Sequence, residues 1–376
     1  MLNCSGSSSE SVQQTPLIAQ HRAARAKLVD FAGWEMPIQY SGVVDEYQTV
    51  RTKAGLFDVS HMGRLVVNGT GAESFLQGMT TNDLAGLKPM QAHYSMVCNE
   101  QGGILDDIFV YRLEQPGEFL LCANASNRTK ILAWLFKHRQ GLSDCHIQDR
   151  STEIAQIALQ GPATRSIVAA LGLSMLAQLK LRQSARVRVS GVECLIARTG
   201  YTGEFGYEFY VYGDAPVVWD ALLGAGKAFG LKPAGLGARD LLRLEMGYLL
   251  YGNDIDERTT PIEAGVEWAV SVEKGEFLGK AVLAKQQKEG PPRRFVGFEL
   301  LEKGVPRHGF TMVSSSSEPI GEVTSGNLSP LLQKGIGLGY VLSQYATPET
   351  GIMIDVRGKL VPAKIVKPPF YKRPSS

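Results

Sequence analysis

The pattern of the chain changes at Lys285, and this change constrains the fold more than any other feature of the sequence. The stretch "KQQKEGPPRR", residues 285–294, is polar and contains a Pro-Pro pair, which predicts a linker. Beyond it, "RFVGFELLE", "PIGEVTSG", "GIGLGYV" and "GIMIDVRGKLVPAKIV" are short strand-like stretches separated by Gly and Ser turns. They predict a small all-β domain over residues 295–376, ending in the basic tail "KPPFYKRPSS". We favour a closed β-barrel because closure removes exposed strand edges.

The longer part before the linker, residues 15–284, mixes helical and strand-like patterns. "RLVVNG" and "GGILDDIFVYRLE" are typical of strands, whereas "SNRTKILAWLFKHRQ" is typical of an amphipathic helix. The sequence therefore predicts the α+β class, with a multi-layer core of mixed sheets and helices followed by the barrel. Residues 1–14 are Ser-rich and poor in apolar side chains, so we expect a disordered N-terminal segment.

Charge and cysteine content disfavour several classes of protein. The 39 basic and 37 acidic side chains leave a formal net charge of +2, which gives no reason to expect nucleic acid or a membrane as partner. The five cysteines are widely spaced and form no C-x-x-C pair, which argues against a disulfide framework or a zinc site. With no apolar stretch of about 18–20 residues and no signal or transit pattern, the sequence predicts a cytoplasmic protein, or a mitochondrial matrix protein if the chain is a processed eukaryotic form.

The stretch "NEQGGILDDIFVYR" places two adjacent carboxylates, Asp106 and Asp107, inside a strand that otherwise reads as buried. Because side chains alternate along a strand, the two carboxylates point to opposite faces of the sheet. Only one of them can then face a ligand, and the other needs hydrogen-bond partners within the scaffold. Periodicity alone does not choose between them.

Two further motifs have a structural and a functional interpretation that the residues alone leave open. The motif "RTGYTGEFGYE" runs into a predicted strand from Tyr207 to Tyr212, in which Glu208 and Tyr210 share one face that either points inward to a ligand or is exposed. In "ARDLLRLE", Arg239 and Arg243 share one helical face and Asp240 can pair with Arg243. That face is either a solvated, ion-paired helix start or a site for an anionic or carbonyl-bearing ligand.

Three other motifs favour structural roles. In "FDVSHMG", Asp58, Ser60 and His61 are too close in sequence for a catalytic triad, and a turn closed by Asp58 and Ser60 is favoured. "YGNDIDERTTPIE" fails the EF-hand pattern because Thr259 and Gly265 stand where Gly and Glu are required. "GIGLGY" lacks the spacing of a phosphate-binding loop, so its glycines are better explained by close strand packing.

Taken together and in this order, the motifs resemble those of one family, the aminomethyltransferases or T-proteins of the glycine cleavage system. The matching stretches include "VDFAGWEMPIQY", "RTKAGLFDVSHMG", "NEQGGILDDIFVY", "RTGYTGEFGYE" and "GLGARDLLRLEMGYLLYGNDIDERTTPIEAG". The resemblance covers nearly the whole chain from Gln14 to about Tyr371. It implies a folate-binding core followed by a C-terminal β-barrel. It also implies transfer of a methylene carbon from the aminomethylated lipoyl arm of the H-protein to tetrahydrofolate, giving 5,10-methylenetetrahydrofolate, ammonia and the dihydrolipoyl carrier.

The resemblance also implies which residues form the site. It makes Asp107 the catalytic carboxylate and Glu208 an acceptor for the N–H groups of the pterin. The implied folate-contacting residues are Met62, Tyr94, Asp107, Tyr201, Glu208, Arg239, Tyr371 and Arg373. Tetrahydrofolate acts as the one-carbon acceptor, and we expect no metal, flavin or nicotinamide.

Two alternatives use the same fold. One is a folate-dependent demethylase, which would pass a methyl group from sulfur or nitrogen to tetrahydrofolate. The other is a non-catalytic folate-binding regulatory protein, whose relatives carry a K-G-C-Y-x-G-Q type motif. This chain has "RTGYTGE" there, without the Cys, which disfavours the second alternative.

Overall fold

The computed structural model of the protein describes residues 12–373, which form a layered α/β part followed by a closed barrel. The strands of the first part are β1 (Gln13–Gln14), β2 (Lys27–Phe31), β3 (Trp34–Gln39), β4 (Ala54–Asp58), β5 (Gly63–Asn68), β6 (Gln91–Cys98), β7 (Ile104–Arg112), β8 (Glu118–Ala123), β9 (His146–Asp149), β10 (Ala155–Gln160), β11 (Ser184–Val189), β12 (Val192–Ala197), β13 (Gly206–Tyr212) and β14 (Leu231–Pro233). The helices are α1 (Ile18–Ala23), α2 (Val43–Thr52), α3 (Ala72–Met79), α4 (Arg128–His138), α5 (Thr164–Ala170), α6 (Ala215–Gly226), α7 (Leu236–Met246) and α8 (Lys280–Glu289).

Two large sheets stack face to face and carry helices on their outer faces. One has the strand order β11-β12-β13-β10-β4-β14, and the other has the order β6-β7-β8-β5-β9. Leu195 and Tyr210 of the first sheet pack with Val66 and Leu120 of the second in one buried cluster. Helices α5 and α6 cover the outer face of the first sheet, and α3 and α4 cover that of the second. The predicted multi-layer α+β core is therefore confirmed.

Strand alternation explains how polar side chains enter the layer between the sheets. On β13, Tyr207, Phe209 and Val211 pack into the helix-side cluster, whereas Tyr210 packs into the cluster between the sheets. Because successive side chains point to opposite faces, Glu208 shares the inner face with Tyr210. The apolar residues of this strand thus fix which way its carboxylate points.

Helix α7 lies between the layered core and the barrel. It packs against α2 and β3 on the core side, and its Leu244 joins Ile336 and Leu338 of the barrel in a buried cluster. The helix ends at Gly247, which has φ 69° and whose N–H bonds to the carbonyls of the last turn. A left-handed residue of this kind is favourable only for glycine, so Gly247 sets where the chain turns out of the helix.

The C-terminal domain is a closed barrel in the order β15-β18-β17-β16-β19-β20, which confirms the prediction of a barrel. Its strands are β15 (Arg293–Leu300), β16 (Thr311–Val313), β17 (Pro319–Ser329), β18 (Lys334–Leu342), β19 (Gly351–Val356) and β20 (Lys359–Val366). A Cβ atom at Gly337 would lie 2.3 Å from the ring of Phe298. The glycines of "GIGLGY" therefore permit close packing, as expected, whereas the short β16 was not among the predicted strands.

The predicted linker at residues 285–294 differs from the structure. Helix α8 continues to Glu289, and the first barrel strand begins at Arg293 rather than at residue 295. Leu283 is fully buried and fixes this helix to the core next to Gly102, while most of its remaining side chains are polar and partly or fully exposed. The polar composition that suggested a linker belongs to the outer face of a helix.

The predicted disorder of residues 1–14 is wrong at its C-terminal end. Gln13 and Gln14 form β1, which pairs in parallel with Trp34 and Glu35 of β3, and the N–H of Gln13 donates to the carbonyl of Gly33 at 2.8 Å. Backbone pairing, which composition does not reveal, holds this pair of glutamines. Residues 1–11 lie outside the described part of the chain.

Candidate active site

Asp106 and Asp107 point to opposite faces of β7, as the alternation predicted. Asp106 is fully buried, and its strand neighbours Ile108 and Val110 belong to the helix-side cluster. Asp107 shares the other face with Phe109 and Tyr111, which lie in the layer between the two sheets. Asp107 is only partly buried, so its carboxylate can reach a ligand.

The carboxylate of Asp107 is held at both oxygens. The hydroxyl of Tyr94 donates to Oδ2 at 2.9 Å, and the amide of Asn124 donates to Oδ1 at 2.7 Å. Burial raises the pKa of Asp107 to about 6, against the lowering effect of the hydrogen bonds from Tyr94 and Asn124. The group is therefore ionised at neutral pH and close enough to its pKa to exchange a proton.

Asp106 is bound within the scaffold. It accepts hydrogen bonds from the backbone N–H of Asn124 at 2.9 Å, from the Asn124 amide at 2.8 Å and from the Asn127 amide at 2.6 Å. Burial, and next the charge of Asp107, raise the pKa of Asp106 to about 8. The two carboxylates lie on opposite faces but are linked through Asn124, a residue that the sequence analysis missed. The strand register places Asn124 opposite Asp107, because Cys122 pairs with Phe109.

Glu208 points inward, which settles the interpretation that the sequence left open. Its cross-strand neighbours are Ala158 on one side and Ala197 on the other, so two methyl groups flank the carboxylate. It accepts from the hydroxyl of Thr199 at 2.5 Å and from the amide of Gln156 at 3.3 Å. These bonds use part of the acceptor capacity of the carboxylate and leave lone pairs for a ligand.

A chain of polar groups continues from Glu208 through the layer between the sheets. The hydroxyl of Tyr210 donates to the hydroxyl of Tyr111 at 3.0 Å, Tyr111 lies 3.4 Å from Thr199, and Gln156 lies 3.4 Å from Tyr210. All four side chains are buried. The sequence analysis did not identify this network, since its members come from separate strands.

Arg239 and Arg243, which share one helical face in the sequence, have different environments. The guanidinium of Arg239 lies 4.6 Å from the ring centroid of Tyr201, and among the described residues it has no hydrogen bond or ion pair. Arg243 pairs with Asp240 at 2.8 Å, as expected, and also with the buried Asp254 at 2.6 Å. Burial lowers the pKa of Arg239 while the charge of Glu208 opposes this, which puts Arg239 and Glu208 within electrostatic reach of each other. Arg239 is thus available to a ligand, whereas Arg243 is structural.

Stacked aromatic side chains flank these charged groups. Tyr94 stacks on Trp268 with ring centroids 5.4 Å apart, and Tyr201 stacks on Tyr248 at 5.6 Å. Trp268 is 55% exposed, so one ring of its pair faces outward. The hydroxyl of Tyr201 donates to the carbonyl of Leu249. Trp268 and Tyr248 were not predicted, because an exposed aromatic residue outside the long helices and strands carries no periodic signal.

Met62 packs against both buried clusters that meet at the site. The residues before it form the turn that the sequence predicted. The N–H of Ser60 donates to Asp58 Oδ1 at 2.8 Å, which forms the expected turn. The other oxygen of Asp58 lies 2.8 Å from His21 Nε2, a partner that the sequence did not indicate. His61 is buried beside Phe31, with ring centroids 5.5 Å apart, and makes no contact with Ser60 of the kind that a triad needs.

The two tail residues lie apart from the hydrogen-bonded site groups. Tyr371 is buried with the guanidinium of Arg51 4.0 Å from its ring centroid, and its backbone N–H donates to the carbonyl of Glu245. Arg373 is exposed, and its charge lowers the pKa of Tyr248 against the raising effect of burial, so it lies near the stacked pair of Tyr201 and Tyr248. Within residues 12–373, neither side chain makes a hydrogen bond to Asp107, Glu208 or Arg239.

The arrangement suits a planar ligand that carries N–H donors and a centre that becomes positively charged. Glu208 supplies an acceptor, Asp107 supplies a negative charge, and the aromatic rings supply faces for stacking. Across the described residues, no group of three or more His, Cys, Asp or Glu side chains is arranged to hold a metal ion. No helix in residues 12–373 is long and apolar enough to cross a membrane.

Comparison with known proteins gives consistent matches over the whole chain. The family of the GCVT N-terminal domain matches residues 17–274, and the family of the glycine cleavage T-protein C-terminal barrel domain matches residues 293–372. The chain is 46% identical to an aminomethyltransferase of Geobacillus kaustophilus over 96% of this chain and 99% of that one. It is also 46% identical to an aminomethyltransferase of Bacteroides thetaiotaomicron, over 96% and 100% of the two chains. The crystal structure of the glycine cleavage system aminomethyltransferase T from Bartonella henselae superposes with a TM-score of 0.89 at 36% identity, covering 96% of this chain and 99% of that one.

Proposed function

Because the chain belongs to the glycine cleavage T-protein family of aminomethyltransferases, we propose that it transfers a methylene carbon from the aminomethylated lipoyl arm of the H-protein to tetrahydrofolate. The products are 5,10-methylenetetrahydrofolate, ammonia and the dihydrolipoyl carrier. The enzyme is a one-carbon transferase, and tetrahydrofolate is its second substrate. The H-protein is the partner that this reaction requires.

The chemistry of tetrahydrofolate explains why the site contains no protein nucleophile. The folate supplies its own nucleophilic nitrogens, so the protein has to hold N5 near the aminomethyl carbon and exclude water. Cys122 lies beside the inter-sheet network, but burial raises the pKa of its thiol to about 11. A thiol with that pKa stays protonated at neutral pH and is a poor nucleophile.

Asp107 acts on the charge that develops during transfer. The reacting carbon becomes iminium-like as ammonia or the lipoyl thiolate departs, and a carboxylate nearby stabilises that positive charge. With a pKa of about 6, Asp107 is ionised at neutral pH and can also accept a proton from the attacking nitrogen. Tyr94 and Asn124 hold the carboxylate in one direction while it does so.

The remaining site residues bind the folate. Glu208 accepts hydrogen bonds from the pterin, for which a carboxylate with free lone pairs is well suited. Met62 and Tyr201 supply apolar and aromatic surface, and Arg239 supplies a cation that has no hydrogen bond or ion pair among the described residues. Tyr371 and Arg373 complete the site at its outer end in this proposal.

The observation that carries the proposal is the pair of carboxylates that face the layer between the two sheets. Asp107 comes from one sheet and Glu208 from the other, and each keeps acceptor capacity after its protein hydrogen bonds are counted. Buried carboxylates are normally fully paired, so this capacity indicates a polar ligand.

The test is an assay of methylenetetrahydrofolate and ammonia formed from aminomethylated H-protein and tetrahydrofolate. We expect both products in equal amounts, and we expect the Asp107→Asn variant to form them at least about tenfold more slowly. Glu153→Gln, which alters an exposed carboxylate paired with Arg150, serves as the control and should keep wild-type turnover.

Methyltetrahydrofolate as the only product would indicate a demethylase, and folate binding without turnover would indicate a regulatory protein.

A further inference from the structure

Asn124 lies at the centre of the two-carboxylate motif although it comes from the end of a different strand. Its amide nitrogen is 2.8 Å from Asp106 Oδ1, 2.7 Å from Asp107 Oδ1 and 3.1 Å from the backbone carbonyl of Asp107. All three neighbours are oxygen acceptors, so only the NH₂ end of the amide can occupy this position. We propose that Asn124 is a positioning residue that fixes the direction of the Asp107 carboxylate, with Asp106 as its anchor. The inference rests on the role proposed above for Asp107.

The anchor holds Asn124 at two points. Asp106 accepts from the backbone N–H of Asn124 through Oδ2 at 2.9 Å and from its side chain through Oδ1. Asn127 donates to the same carboxylate at 2.6 Å, from the end of the turn that leads into α4. Asp106 is fully buried, so neither it nor the amide that it binds can rotate freely.

These contacts hold the carboxylate of Asp107 in one orientation. Asn124 occupies Oδ1 and the hydroxyl of Tyr94 occupies Oδ2, at 2.7 Å and 2.9 Å. Each oxygen keeps acceptor capacity after these bonds are counted, and the residue is only partly buried. A reactive group held in this way loses little freedom when the substrate binds, which is the purpose of a supporting shell in an active site.

Other charged and titratable groups also act on Asp107, and they remain in place when Asn124 is changed. They are Tyr94 from β6, Asp106 from β7, Tyr201 from the segment before β13, and Tyr251 and Asp254 from the segment after α7. Asp254 is paired with Arg243 and Tyr251 accepts from Lys130, so both are fixed by their own partners. A change in the titration of Asp107 in an Asn124 variant would therefore report the lost amide donor.

The experiment compares Asn124→Ala with Asn127→Ala in the full-length protein, using aminomethylated H-protein and tetrahydrofolate. Both variants remove one amide that binds Asp106, but only Asn124→Ala removes a donor to Asp107. We expect Asn124→Ala to lower kcat by about tenfold or more with a smaller change in the KM for tetrahydrofolate. A donor to the ionised form lowers a pKa, so its loss should move the acid limb of the pH–rate profile upward by roughly one unit. Asn127→Ala should keep the limb of the wild type.

The outcomes separate this inference from the proposed function. If Asp107→Asn abolishes turnover but Asn124→Ala leaves both kcat and the acid limb unchanged, the positioning role is wrong and the proposed function stands. If the wild type forms no methylenetetrahydrofolate, the proposed function fails first. Thermal unfolding of each variant shows whether it folds. Should Asn124→Ala fail to fold, Asn124→Gln, which keeps the amide but displaces it by one methylene, takes its place with the same expected shift of the limb.

Discussion

Two groups of buried and partly buried charges each include an arginine of α7, and they differ in how completely they are paired. At the junction with the barrel, Arg243 donates to Asp254 at 2.6 Å and to the hydroxyl of Ser325 at 2.9 Å. Asp254 also accepts from Thr324 at 2.5 Å and from the N–H of Leu250 at 2.9 Å. Every charge at this junction is matched by a group of the protein itself.

The charges of the candidate site are matched only in part. Arg239, one helical turn before Arg243, has no hydrogen bond or ion pair within the described residues, and its closest ring is that of Tyr201. Glu208 has one short and one long hydrogen bond, and Asp107 has one donor at each oxygen. Completely paired charges thus stabilise the fold, whereas incompletely paired charges remain available to a substrate.

The largest effect should come from removing one member of the completely paired charges at the barrel junction. Asp254→Ala leaves Arg243 buried without its main partner, so we expect the free energy of unfolding to fall by about 3–5 kcal/mol. Urea unfolding measures this change. Glu289→Ala, in the exposed pair with Lys285, is the control and should unfold close to the wild type. Equal stability of the two variants would contradict the distinction between the two groups.

Changes to the incompletely paired charges of the candidate site should lower turnover rather than stability. Asp107→Asn keeps the shape of the side chain but removes the negative charge, so we expect kcat to fall at least tenfold, about 1.4 kcal/mol of barrier, with a smaller loss of folate binding. Steady-state kinetics at saturating folate measure it. Near-normal turnover would remove Asp107 from the chemistry.

The pH dependence of turnover tests the same carboxylate without a mutation. The pKa of Asp107 is raised to about 6, and the ionised form is the one that stabilises positive charge. Turnover should therefore fall about tenfold per unit as the pH drops below that value. For stability the sign is opposite, because a carboxylate with a raised folded pKa contributes stability at low pH that is lost as the pH rises through about 6. A profile that stays flat down to pH 5 would exclude Asp107 as the titrating group.

Glu208→Gln should have a moderate effect on folate affinity. One acceptor oxygen becomes a donor that faces the N–H groups of the pterin, so we expect a loss of roughly 1 kcal/mol, about fivefold in Kd. Isothermal titration with tetrahydrofolate measures it. The control is Glu193→Gln on the same sheet, an exposed partner of Arg186 that should leave Kd unchanged. An unchanged Kd for Glu208→Gln would argue against the pterin contact.

The smallest effect is expected at the outer aromatic pair. Trp268 is more than half exposed and stacks on Tyr94 with centroids 5.4 Å apart. Trp268→Ala should raise the KM for tetrahydrofolate about twofold to threefold, corresponding to roughly 0.5 kcal/mol for one aromatic pair. Trp268→Phe should restore most of the loss. A tenfold rise would show that Trp268 binds the substrate more directly than through Tyr94.

The sequence predicted the elements of the fold where periodicity and glycine turns were strong. The α+β layers and the closed barrel followed from such patterns, whereas the linker at residues 285–294 did not, because α8 shows its polar face to solvent. The two glutamines of β1 were missed for a related reason. Their pairing with β3 depends on tertiary structure, which the sequence of two polar residues does not indicate.

The site was predictable one strand at a time. Alternation along β7 correctly separated Asp106 from Asp107, and the apolar residues of β13 fix the inward direction of Glu208. Asn124 and Gln156 could not be found in this way, because their roles depend on the register between neighbouring strands. Arg239 and Arg243 share one helical face, and their partners, above all Asp254 for Arg243, distinguish them.

Two serine hydroxyls of the barrel make the choice of barrel matter to the core. Ser325 binds Arg243 and Ser329 binds Glu245, both on the helix that also carries Arg239. A chimaera that joined this core to the barrel of a distant relative would leave Arg243 and Glu245 each short of one hydrogen bond unless the donor barrel carried hydroxyls at the same two places. Exchange of the barrel is therefore expected to lower stability by roughly 1 kcal/mol for each missing hydroxyl.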